Sequence, residues 1–151
     1  MALTTFGAIM KFAGEIASQN EEIYQDLIQK AKDQPLKVLL QELAGEEGKN
    51  RTLMERTRRE NVTEMILEPI TGLRQEEYEI QPKTSEPLAD ADILRVIVRY
   101  EERAKRFFQD ASAKVPLPEV ARTFRKVVQK KDENLNKLQG LGVNQALKGN
   151  T

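Results

Sequence analysis

Apolar residues recur at three- and four-residue steps in four stretches of the chain, the spacing that lines one face of a helix. The first stripe runs through Phe6, Met10, Ala13, Ala17, Asn20, Tyr24, Leu27 and Ala31 and predicts a helix over 5–32, with Thr4 or Thr5 as its N-cap. Asp33-Gln34-Pro35 then breaks the pattern. Proline suits the first turn of a new helix, because the N–H it lacks would be unbonded there anyway. Leu36, Leu39, Leu40, Leu43, Leu53 and Met54 carry that second helix to about 61. A third is predicted over 88–114 by Leu94, Ile97, Glu101, Ala104, Phe108 and Ala111. Val115-Pro116-Leu117-Pro118 turns the chain into a fourth over 118–139, striped by Val120, Phe124, Val127, Val128 and Leu138. Gly140 and Gly142 are expected to end it, leaving 140–151 as a tail that frays.

Polar residues interrupt the stripes at matching places. Glu47 and Asn50 lie in the second stripe, Lys131 and Asn134 in the fourth, and each pair is separated by 84 residues. The same offset carries Tyr24 onto Phe108, Gln25-Asp26 onto Gln109-Asp110, Leu40 onto Phe124 and Met54 onto Leu138, so the chain reads as a duplicated helical hairpin. Between the copies, over 62–87, the periodicity fails and Pro69, Gly72, Pro82 and Pro87 punctuate the sequence. So long an irregular connection needs a reason in a compact domain, and a crossover along the length of a bundle supplies one. The expected fold is an all-α four-helix bundle forming one domain over 1–151: a hairpin over 5–61, a crossover over 62–87 and a hairpin over 88–139.

Composition narrows the chemistry. With 24 basic and 24 acidic side chains there is no net field to attract nucleic acid or an anionic membrane, and neither is expected as a partner. The N-terminal apolar run is cut by Lys11 and Glu15, so no signal peptide or membrane span is expected and a cytoplasmic location is the default. The chain has no cysteine and no histidine. Any metal would be held by oxygen ligands, and any general base would be a carboxylate, a lysine or a tyrosine. The acidic groups Glu42, Glu46, Glu47 and Asp132-Glu133 are candidates for an all-oxygen site, although adjacent carboxylates on a helix point apart. Arg51, Arg56, Arg58 and Arg59 suit the C-terminal end of a helix dipole.

Two hairpins joined by a long crossover are the connectivity of ferritin-like bundles. The chain resembles the ferritin-like superfamily, nearest to rubrerythrin-type erythrin domains, over about 10–56 and 94–140. The family's apolar-x-x-apolar-Ala-x-Glu-Glu-x-x-His frame falls on Leu40, Leu43, Ala44, Glu46, Glu47 and Asn50. In the fourth helix it falls on Phe124, Val127, Val128, Lys130, Lys131 and Asn134. The family's Glu seven residues before an aromatic falls on Ala17 before Tyr24 and on Glu101 before Phe108. The resemblance thus implies six metal-ligand positions, occupied here by Ala17, Glu47, Asn50, Glu101, Lys131 and Asn134. Four of them have lost their ligand type, and Lys131 would bring an ammonium into the metal cavity.

No metal, cofactor or catalytic residue is therefore expected, and enzymatic activity is disfavoured. Glu47 and Glu101 facing inward need a cation, and Lys131 is expected to supply it within a buried polar network with Asn50 and Asn134. The function read from this is a non-catalytic ferritin-like bundle acting as a structural or interaction protein. The alternative is a carboxylate-rich iron- or manganese-binding oxidoreductase or iron-handling protein, using Glu47, Glu101 and neighbours such as Glu15, Glu21 or Glu46. A small-ligand binder with a pocket between the helices is a third reading. Ile9, Ile16 and Ile23, beside the inner stripe of the first helix, widen its apolar band and predict a homodimer.

Overall fold

In a computed structural model, residues 2–61, 70–80 and 89–149 are described, the last seven of them as backbone only. Four helices form the molecule: α1 (Phe6–Lys30), α2 (Gln34–Glu60), α3 (Asp90–Lys114) and α4 (Pro118–Gly149). Local chemistry sets their ends. The Thr5 hydroxyl accepts from the Ala8 N–H at 3.0 Å and caps α1. Asp33 caps α2 by accepting from Leu36 N–H at 3.2 Å, with proline inside the first turn. The Asp90 carboxylate accepts the N–H groups of Lys32 and Asp33 at 2.9 and 3.0 Å, so the turn between α1 and α2 is tied to the start of α3.

The offset of 84 reappears in the helices themselves. Moved by 84, the bounds of α1 land on those of α3, and the first residue of α2 lands on that of α4. Even the closing bonds correspond, Ala31 N–H to Leu27 O and Val115 N–H to Ala111 O, both 2.9 Å. The fourth helix departs from expectation at its far end, because Gly140 and Gly142 are helical and α4 continues to Gly149. Glycine in a helix interior costs about 1 kcal/mol relative to alanine, which weakens a helix without ending it.

The core has two clusters. At the end holding the α1 N-terminus, Phe12, Tyr78, Phe107, Phe108 and Phe124 form a chain of aromatic contacts. The Phe107–Phe108 and Phe108–Phe124 centroids lie 5.5 and 5.1 Å apart, nearly edge to face. The other end is mainly aliphatic and is built from residues such as Leu36, Leu40, Leu43, Ile93 and Ile97. Since α2 ends at the aromatic end and α3 begins at the other, the chain between them must run the length of the bundle. The parts at 62–69 and 81–88 lie outside the described residues.

The part at 70–80 is not wholly irregular. Ile70 and Leu73 bond to the N-terminal segment (Ile70 N–H to Thr4 O and Leu3 N–H to Leu73 O, both 2.9 Å), Gly72 takes φ +89°, and Gln75–Tyr78 makes a 3-10 turn. This segment joins the same cluster as Ile9 and Ile16, which are 0 % and 1 % exposed. Of the three isoleucines that widen the apolar band of α1, Ile9 and Ile16 are thus covered by the chain itself and Ile23 is half-buried. Val38 is the one large apolar side chain exposed among the described residues, and no described helix is long and apolar enough to cross a membrane.

Candidate functional site

Between the two clusters, near the midpoint of every helix, the core turns polar. Glu47, Glu101, Lys131 and Asn134 are at most 2 % exposed and face one another from α2, α3 and α4. The Lys131 ammonium donates to Glu47 Oε1 at 2.7 Å and to Glu101 Oε1 at 3.0 Å, with Glu46 Oε1 3.8 Å away. Asn134 Nδ2 donates to Glu101 Oε2 at 3.2 Å and Glu46 Oε2 at 2.8 Å, and Asn50 Nδ2 donates to Glu47 Oε1 at 2.8 Å. From α1, the buried Tyr24 hydroxyl donates to Glu101 Oε1 at 2.7 Å. Asn50 sits at the rim, half-buried, and Ala17 is buried on α1 without a polar group.

The electrostatics follow from the crowding of three carboxylates around one ammonium. Burial alone would lower the Lys131 pKa, but Glu101, Glu47 and Glu46 more than reverse it, so the amine stays charged far into the alkaline range. Burial raises the Glu47 pKa and Glu101 adds to the rise, while Lys131 and Asn50 pull it down. Tyr24 is driven well above its ordinary value, first by burial and then by Glu101 and Glu47, and so serves as a neutral donor. Asn20 and Arg103 border the layer. The Arg103 guanidinium is buried and donates to Asn20 Oδ1 at 2.8 Å, Gln19 Oε1 at 2.7 Å and Tyr78 O at 3.0 Å.

The structure therefore brings Glu47, Asn50, Glu101, Lys131 and Asn134 together, and adds Tyr24 and Glu46. Two of its contacts, Lys131 with Glu47 and Arg103 with Gln19, join residues 84 apart. That is expected where two copies of a hairpin meet across an approximate two-fold axis. The other acidic candidates lie elsewhere: Glu21 pairs with Arg51 at 3.2 Å, Asp132 with Lys105 and Glu133 with Lys130, and Glu15 and Glu42 are exposed. Of the arginines near the end of α2, Arg56 pairs with Glu60 at 3.9 Å.

These residues do not fit a metal pair. An ammonium stands between the two inward carboxylates, Ala17 offers no donor atom, and both asparagines turn their NH2 groups, not their oxygens, toward the carboxylates. Among the described residues no group of three or more His, Cys, Asp or Glu is arranged to hold a metal ion.

No family model and no curated protein matches the chain. In structure it is similar to a protein of Bacillus halodurans C-125 provisionally described as a spore coat protein. The identity is 16 %, the superposition covers 95 % of this chain and 91 % of that one, and the TM-score is 0.71. At that identity the likeness speaks for the fold alone.

Proposed function

We propose that this protein is a non-catalytic ferritin-like bundle in which an internal ammonium stands where its metal-binding relatives hold a metal pair, and that it acts as a structural or interaction protein. The observation that carries this reading is Lys131 Nζ, fully buried and within 2.7 and 3.0 Å of the two carboxylates that would otherwise be ligands. A cation already supplied by the chain is bonded to both Glu47 and Glu101. A second cation at the same point would meet it at close range. The chain's own buried groups at the site are occupied in holding one another.

The test is to rebuild the ligand set. A variant carrying Ala17→Glu, Asn50→His, Lys131→Glu and Asn134→His restores carboxylate and imidazole at the six corresponding positions. Purified from iron-supplemented medium, it is expected to hold iron that the parent does not hold. If it folds, by circular dichroism, and still takes up no more iron than the parent, the correspondence with ferritin-like ligand positions is wrong.

A further inference from the structure

Four charged residues are buried among the described residues: Glu47, Glu101, Lys131 and Arg103. The first three are paired with one another. Arg103 has no ion pair among the described residues. It is 5 % exposed, its acceptors are an amide oxygen from Gln19, another from Asn20 and a backbone carbonyl, and its Nε has no partner. Tyr100 lies under the guanidinium, 5.3 Å from ring centroid to Cζ, which attracts the cation but brings no counter-charge. A buried guanidinium held only by neutral acceptors, with Glu47 acting on it from a distance, is costly, and a carboxylate in direct contact is the chemistry that relieves it.

Arg103 lines a cavity of about 470 Å³ between α1 and the 75–80 segment. Its lining also includes the apolar Phe12, Ile16 and Ile80 and the carboxylates Glu15, Glu22 and Glu79. Glu15 and Glu22 are exposed and have no ion-pair partner among the described residues; Glu79 accepts only from Gln75, at 3.2 Å. One buried cation, an apolar wall and a carboxylate rim are complementary to a molecule that is itself anionic at one end and cationic at the other.

The geometry points to a binding site for a small amino carboxylate, a zwitterion whose two charged ends are joined by a short hydrocarbon. Its carboxylate pairs with Arg103, its hydrocarbon lies on Phe12, Ile16 and Ile80, and its ammonium faces the rim glutamates. Room at the guanidinium comes from Gln19. This half-buried side chain lines the same cavity and supplies a neutral acceptor to Nη2, so a carboxylate replaces the weaker partner with a charge-assisted one. An anion alone is disfavoured by the rim and an amine alone by Arg103, so the site discriminates by the presence of both ends. The inference concerns a different cavity from the Lys131 layer and stands or falls independently of it.

The experiment is a titration of the full chain, followed by calorimetry and amide chemical shifts, with straight-chain amino carboxylates from glycine to 6-aminohexanoate. Hexanoate and hexylamine serve as single-charge controls. At least one amino carboxylate is expected to bind and to shift the amides of Gln19, Asn20 and Arg103, with each control about tenfold or more weaker. Glu15→Gln with Glu22→Gln, two exposed changes that leave the packing alone, is expected to weaken the amino carboxylate about tenfold. It should leave the weak binding of hexanoate unchanged or improved. Arg103→Lys keeps the charge and loses the planar fork, and is expected to weaken binding while the fold persists. The proposal is overturned if no member of the series binds at about 10 mM, a concentration at which even millimolar affinity fills a site, if the single-charge controls bind equally well, or if the glutamine variant binds like the parent.

Discussion

Lys131 is buried from solvent, and its charge is tolerable because Glu47 and Glu101 are within bonding distance. Truncating it to alanine strands two inward carboxylates, and breaking a buried pair in this way costs about 3–5 kcal/mol. The pH dependence follows from the directions of the shifts. The Lys131 pKa is raised on folding, so its contribution is complete below its ordinary value of 10.5 and is lost as the pH climbs through the folded value. The Glu47 pKa is also raised, chiefly by burial, so ionising this carboxyl opposes folding from about its ordinary value of 4.5 upward, a cost that the ammonium limits. Urea unfolding of Lys131→Ala against the parent is therefore expected to show a small difference near pH 4 and a large one at neutral pH. A difference below about 0.5 kcal/mol at neutral pH, the range of surface substitutions, would mean that Lys131 reaches water. Replacing Lys131 by Met together with Glu47→Gln and Glu101→Gln should cost much less than the single truncation, since residues in contact are not additive.

At the scale of the elements, the hairpins meet across positions 84 apart, and this made much of the molecule readable from its sequence. Glu47, Glu101, Lys131 and Asn134 sit in stripes whose other members, Asn50 apart, are apolar, so the helix directs their side chains inward. Asn50 lies in the same frame but ends at the rim, because its position on α2 is near the edge of the buried face. Arg103 was not legible. It flanks the stripe of Glu101 and Ala104, where a long charged side chain ordinarily snorkels to water. Tyr78 lay in an aperiodic stretch and is buried by tertiary contacts, its hydroxyl on Asp110 at 2.6 Å. The fourth helix passes through Gly140 and Gly142, where the sequence predicts a stop, because glycine lowers helix propensity without forbidding the helix. The two-fold relation predicts that charge can be exchanged across it. Glu47→Lys or Lys131→Glu alone should each destabilise strongly, while the two together should recover more than half of the loss, short of all of it because Glu101 then lacks its nearest ammonium. A double variant as unstable as the sum of its parents would show that the positions are not interchangeable.

For the molecule as a whole, the polar layer sits at mid-length, with an aromatic cluster at one end and an aliphatic one at the other. On the proposed ferritin-like reading that layer is where a metal pair would sit, and here it is filled by one ammonium bonded to two carboxylates, with Tyr24 and Asn134 as further donors. The measurement that tests this most directly is the metal content of the parent protein, by elemental analysis after expression in medium supplemented with iron and manganese. The account predicts well below one equivalent of either metal per chain, and a melting temperature that added iron or manganese leaves unchanged. One or two equivalents that survive dialysis and are lost on Glu47→Gln with Glu101→Gln would contradict it.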